Sequence, residues 1–290
     1  MARNAVRYQH GLADSRRIRE TWVLAVTPLK PDVLTTQRQS DQIMKRLKLL
    51  FASSIGKKFI AAITGLIMFG FLVGHAAGHM KIFTGADAAG VPHIDHYGQF
   101  LKDFGAPALP PMLALWGARM FLLGAVVLHV VSVILLSDQN KKARPVGYVK
   151  KKRAMASPAA LYMMFTGTAI LAFIVLHILH FTTGSLSLFG EHTHGAVYAN
   201  MQNSFSGAYW WVAIGYIVMM VVIGFHLYHG VWSLFQTLGL DNPDRNMYLR
   251  AFAIVFAIGI SATFILIPLS FLFGFMPEAA DYSHDLLSKH

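Results

Sequence analysis

Residues 210–235 read WWVAIGYIVMMVVIGFHLYHGVWSLF, without one Asp, Glu, Lys or Arg. As a helix rising 1.5 Å per residue, such a stretch is about 39 Å long, more than the roughly 30 Å of a bilayer's hydrocarbon. A helix suits it there, because it satisfies its own backbone without water. Two histidines, His226 and His229, lie inside the stretch. Ionisable side chains at such depth are costly and mark function.

Four further stretches share this character: Phe59–Met80, Met112–Leu136, Ala159–Phe181 and Ala251–Phe275. None of the five contains an acid, and Arg119 is the one strong cation among them. The expected fold class is an all-α membrane protein with five transmembrane helices forming a bundle. The composition agrees: 55% of the 290 residues are hydrophobic and 13% charged, against about 25% charged in soluble domains. The chain has no cysteine. Disulfides, thiolate zinc sites, cysteine-held iron–sulfur clusters and covalent haem attachment are thereby excluded within it.

The net charge of +11 reads as topology information and not as nucleic-acid binding. Twelve Lys and Arg precede residue 59, seven lie in 138–157 and two in 237–250. The opposite side holds only Lys81, Lys102 and Lys289. The asymmetry predicts a cytoplasmic N-terminus and an external C-terminus, which five spans require. Residues 1–40 read as a polar cytoplasmic tail, 41–56 as an amphipathic interfacial helix, 57–276 as the five-helix domain and 277–290 as an external tail. The 81–111 loop has room for a short lid helix. No convincing internal repeat is visible.

Histidine is the outlier. His75 and His79 fall in the first span, His129 in the second, His177 and His180 in the third, and His226 and His229 in the fourth. Counting from the expected span ends, His75 and His177 lie about 25 and 28 Å from the inner surface, His129 about 12 Å and His226 about 20 Å. An outer pair, His75 with His177, and an inner pair, His129 with His226, result. Two histidines on facing helices can ligate one haem iron from opposite faces. Two pairs imply two stacked haem b groups, about 8–15 Å apart in depth. His75 and His79 at i, i+4 would make half a zinc site, but no acid or cysteine in the spans completes it. A cytochrome of the bc type would instead carry two histidines about two heptads apart on each of two helices, whereas here the ligands are spread one per helix over four.

These residues resemble the single-chain, five-helix, diheme cytochrome b membrane anchor of succinate dehydrogenases and fumarate reductases. The resemblance covers about residues 53–275. It rests on SSIGKK, TG and GFLVGHAAGHMKIF in the first span, LLGAVVLHVV in the second and TGTAILAFIVLH in the third. The fourth contributes FHLYHGVWSLFQTLGL, with an F-H-x-x-x-G-x-W-S pattern. Carried over residue by residue, the ligands are again His75, His177, His129 and His226. Many members have an acid in the second helix near the place of Arg119, and this chain departs from them there. The resemblance implies a flavoprotein and an iron–sulfur subunit docked on the cytoplasmic face of a bacterial inner membrane, with electrons passing through both haems to a quinone, menaquinone by expectation. No catalytic residue for succinate is expected in this chain. Fumarate reduction is the reverse of the same chemistry, and association of such complexes into higher oligomers is among the expectations. A haem-binding conduit for another membrane dehydrogenase is the alternative.

Secondary expectations follow. His79, His180 and His229 lie within a turn of the ligands and could meet haem propionates, quinone or a proton path, or simply face a neighbouring helix. Arg119 could reach an outer propionate or snorkel to the interface. Trp232 and Ser233 could line the inner haem pocket, Trp232 alternatively belonging to an interfacial aromatic belt. His96, Lys102 and Asp103 could form an outer quinone site or an ordinary solvated loop. Ser54 and Lys58 could meet quinone or the partner subunits, or anchor the helix by charge alone.

Overall fold

The computed structural model of the protein describes residues 33–143 and 162–281. The first part of the expected polar tail, the basic centre of the 138–157 loop, residues 159–161 of the third span and the end of the external tail lie outside them. The chain is mostly helical, 79%, and no strand occurs among the described residues, only an isolated bridge between Ala86 and Pro92. Five helices are long and apolar enough to cross a membrane: Ser54–Thr84, Leu113–Lys142, Met163–Thr182, Gly207–Thr237 and Asn246–Leu272.

The chain divides into two units at Ser53. The first contains one described helix, α1 (Val33–Ala52). It takes in the last eight residues, 33–40, of the segment read as tail. Residues 38–46 are exposed all round the helix, Asp41, Lys45 and Arg46 alongside Ile43 and Met44.

The second unit runs α2 (Ser54–His79), α3 (His93–Asp103), α4 (Leu113–Lys142), α5 (Met163–His177), α6 (Val197–Phe205), α7 (Trp210–Thr237) and α8 (Asn246–Leu272). The sequence places five of these well, with one consequential difference. α4 continues to Lys142 because Ser137-Asp-Gln-Asn carries no Gly or Pro to stop it. His129 therefore stands 13 residues, about 20 Å, from the helix end and not about 12 Å. Two ends are fixed by glycine. α7 closes through Gly239 at φ +71°, with Leu240 N–H donating to Phe235 O at 2.9 Å and Gly239 N–H to Gln236 O at 3.1 Å. α8 closes the same way through Gly274 at φ +67°. Both are double-bonded turns that need a left-handed residue.

Large apolar side chains point outward along the spans, Phe165 and Val255 at 71% and 70% exposure. Water does not tolerate such a surface and lipid does. The buried core gathers at one end, where Ile82, Ile94, Tyr198, Phe205, Tyr216 and Phe271 pack together. The short helices α3 and α6 cover this capped end. Asp95 of α3 accepts the Tyr198 N–H at 2.9 Å, an acid on the first turn of α6. Tyr198 Oη donates to Pro277 O at 2.8 Å and Gln202 Nε2 to Glu278 at 2.9 Å. The expected lid helix of the 81–111 loop is α3.

Candidate functional site

The histidines occupy two levels of the bundle, the upper nearer the capped end. At the lower level α2 meets α4. Thr64 Oγ1 donates its one proton back along its helix to Ile60 O at 2.7 Å, the bond such a side chain makes inside an apolar helix. Its oxygen can then only accept from His129 Nδ1, at 3.3 Å. The Ala61 carbonyl, also an acceptor, lies 3.0 Å from the same nitrogen. His129 must therefore carry its proton on Nδ1, and Nε2 presents a bare lone pair. Gly65 makes room for the ring: a Cβ there would stand 3.5 Å from His129 Cε1.

α5 and α7 repeat the device. Thr166 Oγ1 reaches Tyr162 O and Met163 O, both at 3.1 Å, and lies 3.2 Å from His226 Nδ1. By the same argument His226 Nε2 is bare. Gly167 makes the room, with a Cβ there 3.3 Å from His226 Cε1.

Thr64 precedes His75 by eleven residues, and Thr166 precedes His177 by eleven. Both helices thus separate the two levels by about 16 Å, slightly beyond the 8–15 Å expected from span ends. Although no internal repeat was expected, TGLIMFGFLVGH in α2 and TGTAILAFIVLH in α5 play the same part. His226, not His229, stands against Thr166.

At the upper level the rings of His75 and His177 are 6.1 Å apart at 89° to one another. Phe264 packs on His75 at 5.6 Å and Phe173 on His177 at 5.8 Å. His79 sits edge-on to His75 at 4.4 Å, and its Nδ1 is buried without a hydrogen-bond partner. His180 is different. It lies in a widened π-turn, Ile178–Thr182, at the end of α5, a feature common at functional sites. Both its nitrogens are engaged, by Tyr216 Oη and Ser204 Oγ, each at 2.9 Å, which leaves none for a metal. His177 Nδ1 lies 3.5 Å from the same Tyr216 Oη.

The remaining residues disperse. Arg119 lies over the Trp116 ring at 5.0 Å, toward the start of α4. Trp232 carries Arg250 on its face at 4.6 Å, while the Ser233 carbonyl accepts from Thr237. His229 is half-buried. Ser54 and Lys58 are exposed at the start of α2. His96 pairs with Asp87 at 2.8 Å, whereas Asp103 takes Gln99 Nε2 at 2.8 Å and Lys102 O takes the Met112 N–H. The Val91 N–H, first, and then His96 hold the Asp87 carboxyl below its ordinary value.

Sequence reasoning missed Tyr216, Ser204 and the accepting role of Thr64 and Thr166. The two TG pairs were the available signal. Among the described residues no group of three or more His, Asp or Glu is arranged to hold a metal ion. Compared with models of protein families, with curated proteins and with solved structures, the chain matches none.

Proposed function

We propose that the protein is a membrane-anchoring diheme cytochrome b, with His75 and His177 holding one haem b and His129 and His226 the other. One observation carries this reading: histidines stand at two levels, His75 and His177 above and His129 and His226 below, each lower one set against a threonine eleven residues before the upper histidine of α2 or α5 and turned to present bare Nε2. A neutral imidazole whose other nitrogen donates to a fixed acceptor is what a metal ligand needs. Two imidazoles on one iron, with bonds of about 2.0 Å, have ring centres roughly 6 Å apart, and the upper pair is 6.1 Å apart. A pair of histidines with no third ligand group also suits an iron whose other four positions belong to a macrocycle. Bound haem supplies one-electron carriage. The chain's own residues fix the ring orientations, exclude water with Phe173 and Phe264, and set the levels across the membrane.

The order of motifs supports a place in a succinate:quinone oxidoreductase, with flavoprotein and iron–sulfur subunits on the cytoplasmic face and menaquinone as electron partner. The charge distribution supports that orientation, with the capped end outside. Of the outer quinone candidates, the His96 side chain pairs with Asp87 and that of Asp103 with Gln99. A pyridine haemochrome assay and a redox-titrated visible spectrum of the purified complex test the reading. Two haems b per chain, with two separable potentials, are expected. One haem or none overturns it.

A further inference from the structure

Beyond the ligands themselves, a chain of hydrogen bonds runs from a backbone carbonyl of α6 to His177, and its direction is forced. Ser204 Oγ donates its single proton to Asn200 O at 2.7 Å. It must therefore accept from His180, which donates through Nε2–H at 2.9 Å. A neutral ring with its proton on Nε2 has only a lone pair on Nδ1. The Tyr216 hydroxyl, 2.9 Å from that nitrogen, thus gives its proton to His180. The Tyr216 oxygen then faces His177 Nδ1 as an acceptor, a long contact of 3.5 Å. His177 is left with its proton on Nδ1 and a bare Nε2.

Burial makes this order costly to disturb. Ser204 is 2%, His180 3% and Tyr216 8% exposed, so water does not compete for these groups. The π-turn after His177 brings His180 beneath Tyr216, and Phe181, Phe189 and Phe205 close around them. Such a network is more than packing requires: a phenylalanine and an alanine would fill the space without three mutually dependent polar groups.

We propose that Ser204, His180 and Tyr216 are positioning residues that preset the His177 tautomer and make it the more electron-donating ligand of the upper haem. The inference rests on the haem reading above. An acceptor on Nδ1–H raises the basicity of a ligating imidazole, and a more basic ligand favours the oxidised iron. His75 has no corresponding hydrogen bond among the described residues, so the upper site would depend on this one chain.

The test uses the purified complex and redox titration of both haems. Tyr216→Phe keeps the ring and removes the hydroxyl. It should shift the upper haem's midpoint potential upward while the lower haem's stays fixed and both haems remain bound. Ser204→Ala should shift the same haem in the same direction by less, Ser204→Thr should restore it, and Ser204→Ala added to Tyr216→Phe should shift nothing further. That last non-additivity is the mark of action through Tyr216, since independent packing defects would add. Two haems with an unmoved upper potential in Tyr216→Phe, or additive shifts in the double variant, overturn this inference and leave the cytochrome reading standing. A wild-type complex with fewer than two haems overturns both.

Discussion

Thr166 is the one hydrogen-bond partner of His226 Nδ1 among the described residues, at 3.2 Å. Its counterpart Thr64 shares His129 Nδ1 with the Ala61 carbonyl, which lies closer. The two lower histidines are therefore held by the same device with unequal redundancy. Thr166→Val should leave His226 Nδ1–H without an acceptor and weaken haem retention by about 10–100-fold, the usual cost of losing the group that orients a metal ligand. Thr64→Val should cost several-fold at most, because Ala61 O remains. Haem content after detergent washing measures both, and equal losses would contradict the asymmetry.

Gly65 and Gly167 separate in the same way. A methyl on Gly167 stands 3.3 Å from His226 Cε1, while one on Gly65 stands at 3.5 Å from His129 Cε1, ordinary contact. Gly167→Ala should destabilise the bundle by about 1–3 kcal/mol through overpacking, offset in part by roughly 1 kcal/mol of helix propensity. Gly65→Ala should be neutral or slightly stabilising. Thermal unfolding in detergent reads the difference, and a Gly65→Ala variant as unstable as Gly167→Ala would count against the placement of the rings.

Removing ligands tests the pairing directly. His129→Ala and His226→Ala should abolish one spectral component, and His75→Ala and His177→Ala the other, by loss of the haem or conversion to high spin. His129→Ala and His177→Ala abolishing the same component would mean that α4 and α5 share an iron. His229→Ala should leave both components in place.

The turn beneath α3 predicts a pH dependence. Asp87 accepts N–H groups from Ala89 and Val91, both at 2.9 Å, and pairs with His96. Its carboxyl is depressed from 3.8, first by Val91 and then by His96. A depressed carboxyl stabilises the fold fully above its unfolded value and loses that contribution as the pH falls through its lower folded value. Hydrogen-exchange protection over residues 85–96 should hold from neutrality to about pH 4 and fall below it. Asp87→Ala should lower protection at neutral pH, converge with the wild type below the folded carboxyl's value and so flatten the acid limb; protection that is unchanged at neutral pH would sink the argument.

Much of the bundle was legible because lipid imposes a length and a polarity that a sequence cannot hide. Phe59–Met80 and Trp210–Phe235 lie inside the helices found. The limits were less legible where nothing stops a helix: α4 runs past Leu136 through Ser137 and Asp138, and that extension moved His129 deeper by several residues. His75 and His177 stood out by type alone. Tyr216 did not, since a tyrosine among phenylalanines looks like filling, and its partner Ser204 lies in a different element, joined only by the fold. Thr64 and Thr166 were visible as a motif. That each hydroxyl has already spent its proton on a carbonyl one turn back, and so can only accept, emerges from distances.

The lower device and the eleven-residue spacing recur in two helical hairpins, α2 with α4 and α5 with α7. Each hairpin carries one histidine of either level: His75 and His129 on the first, His177 and His226 on the second. With His75 paired to His177 and His129 to His226 as proposed above, neither hairpin would complete a site by itself. Each haem would then take one ligand from each hairpin and act as a rivet joining them. A chain severed within 144–161 should still assemble when both fragments are made together with haem, and the fragments should part when haem synthesis is blocked.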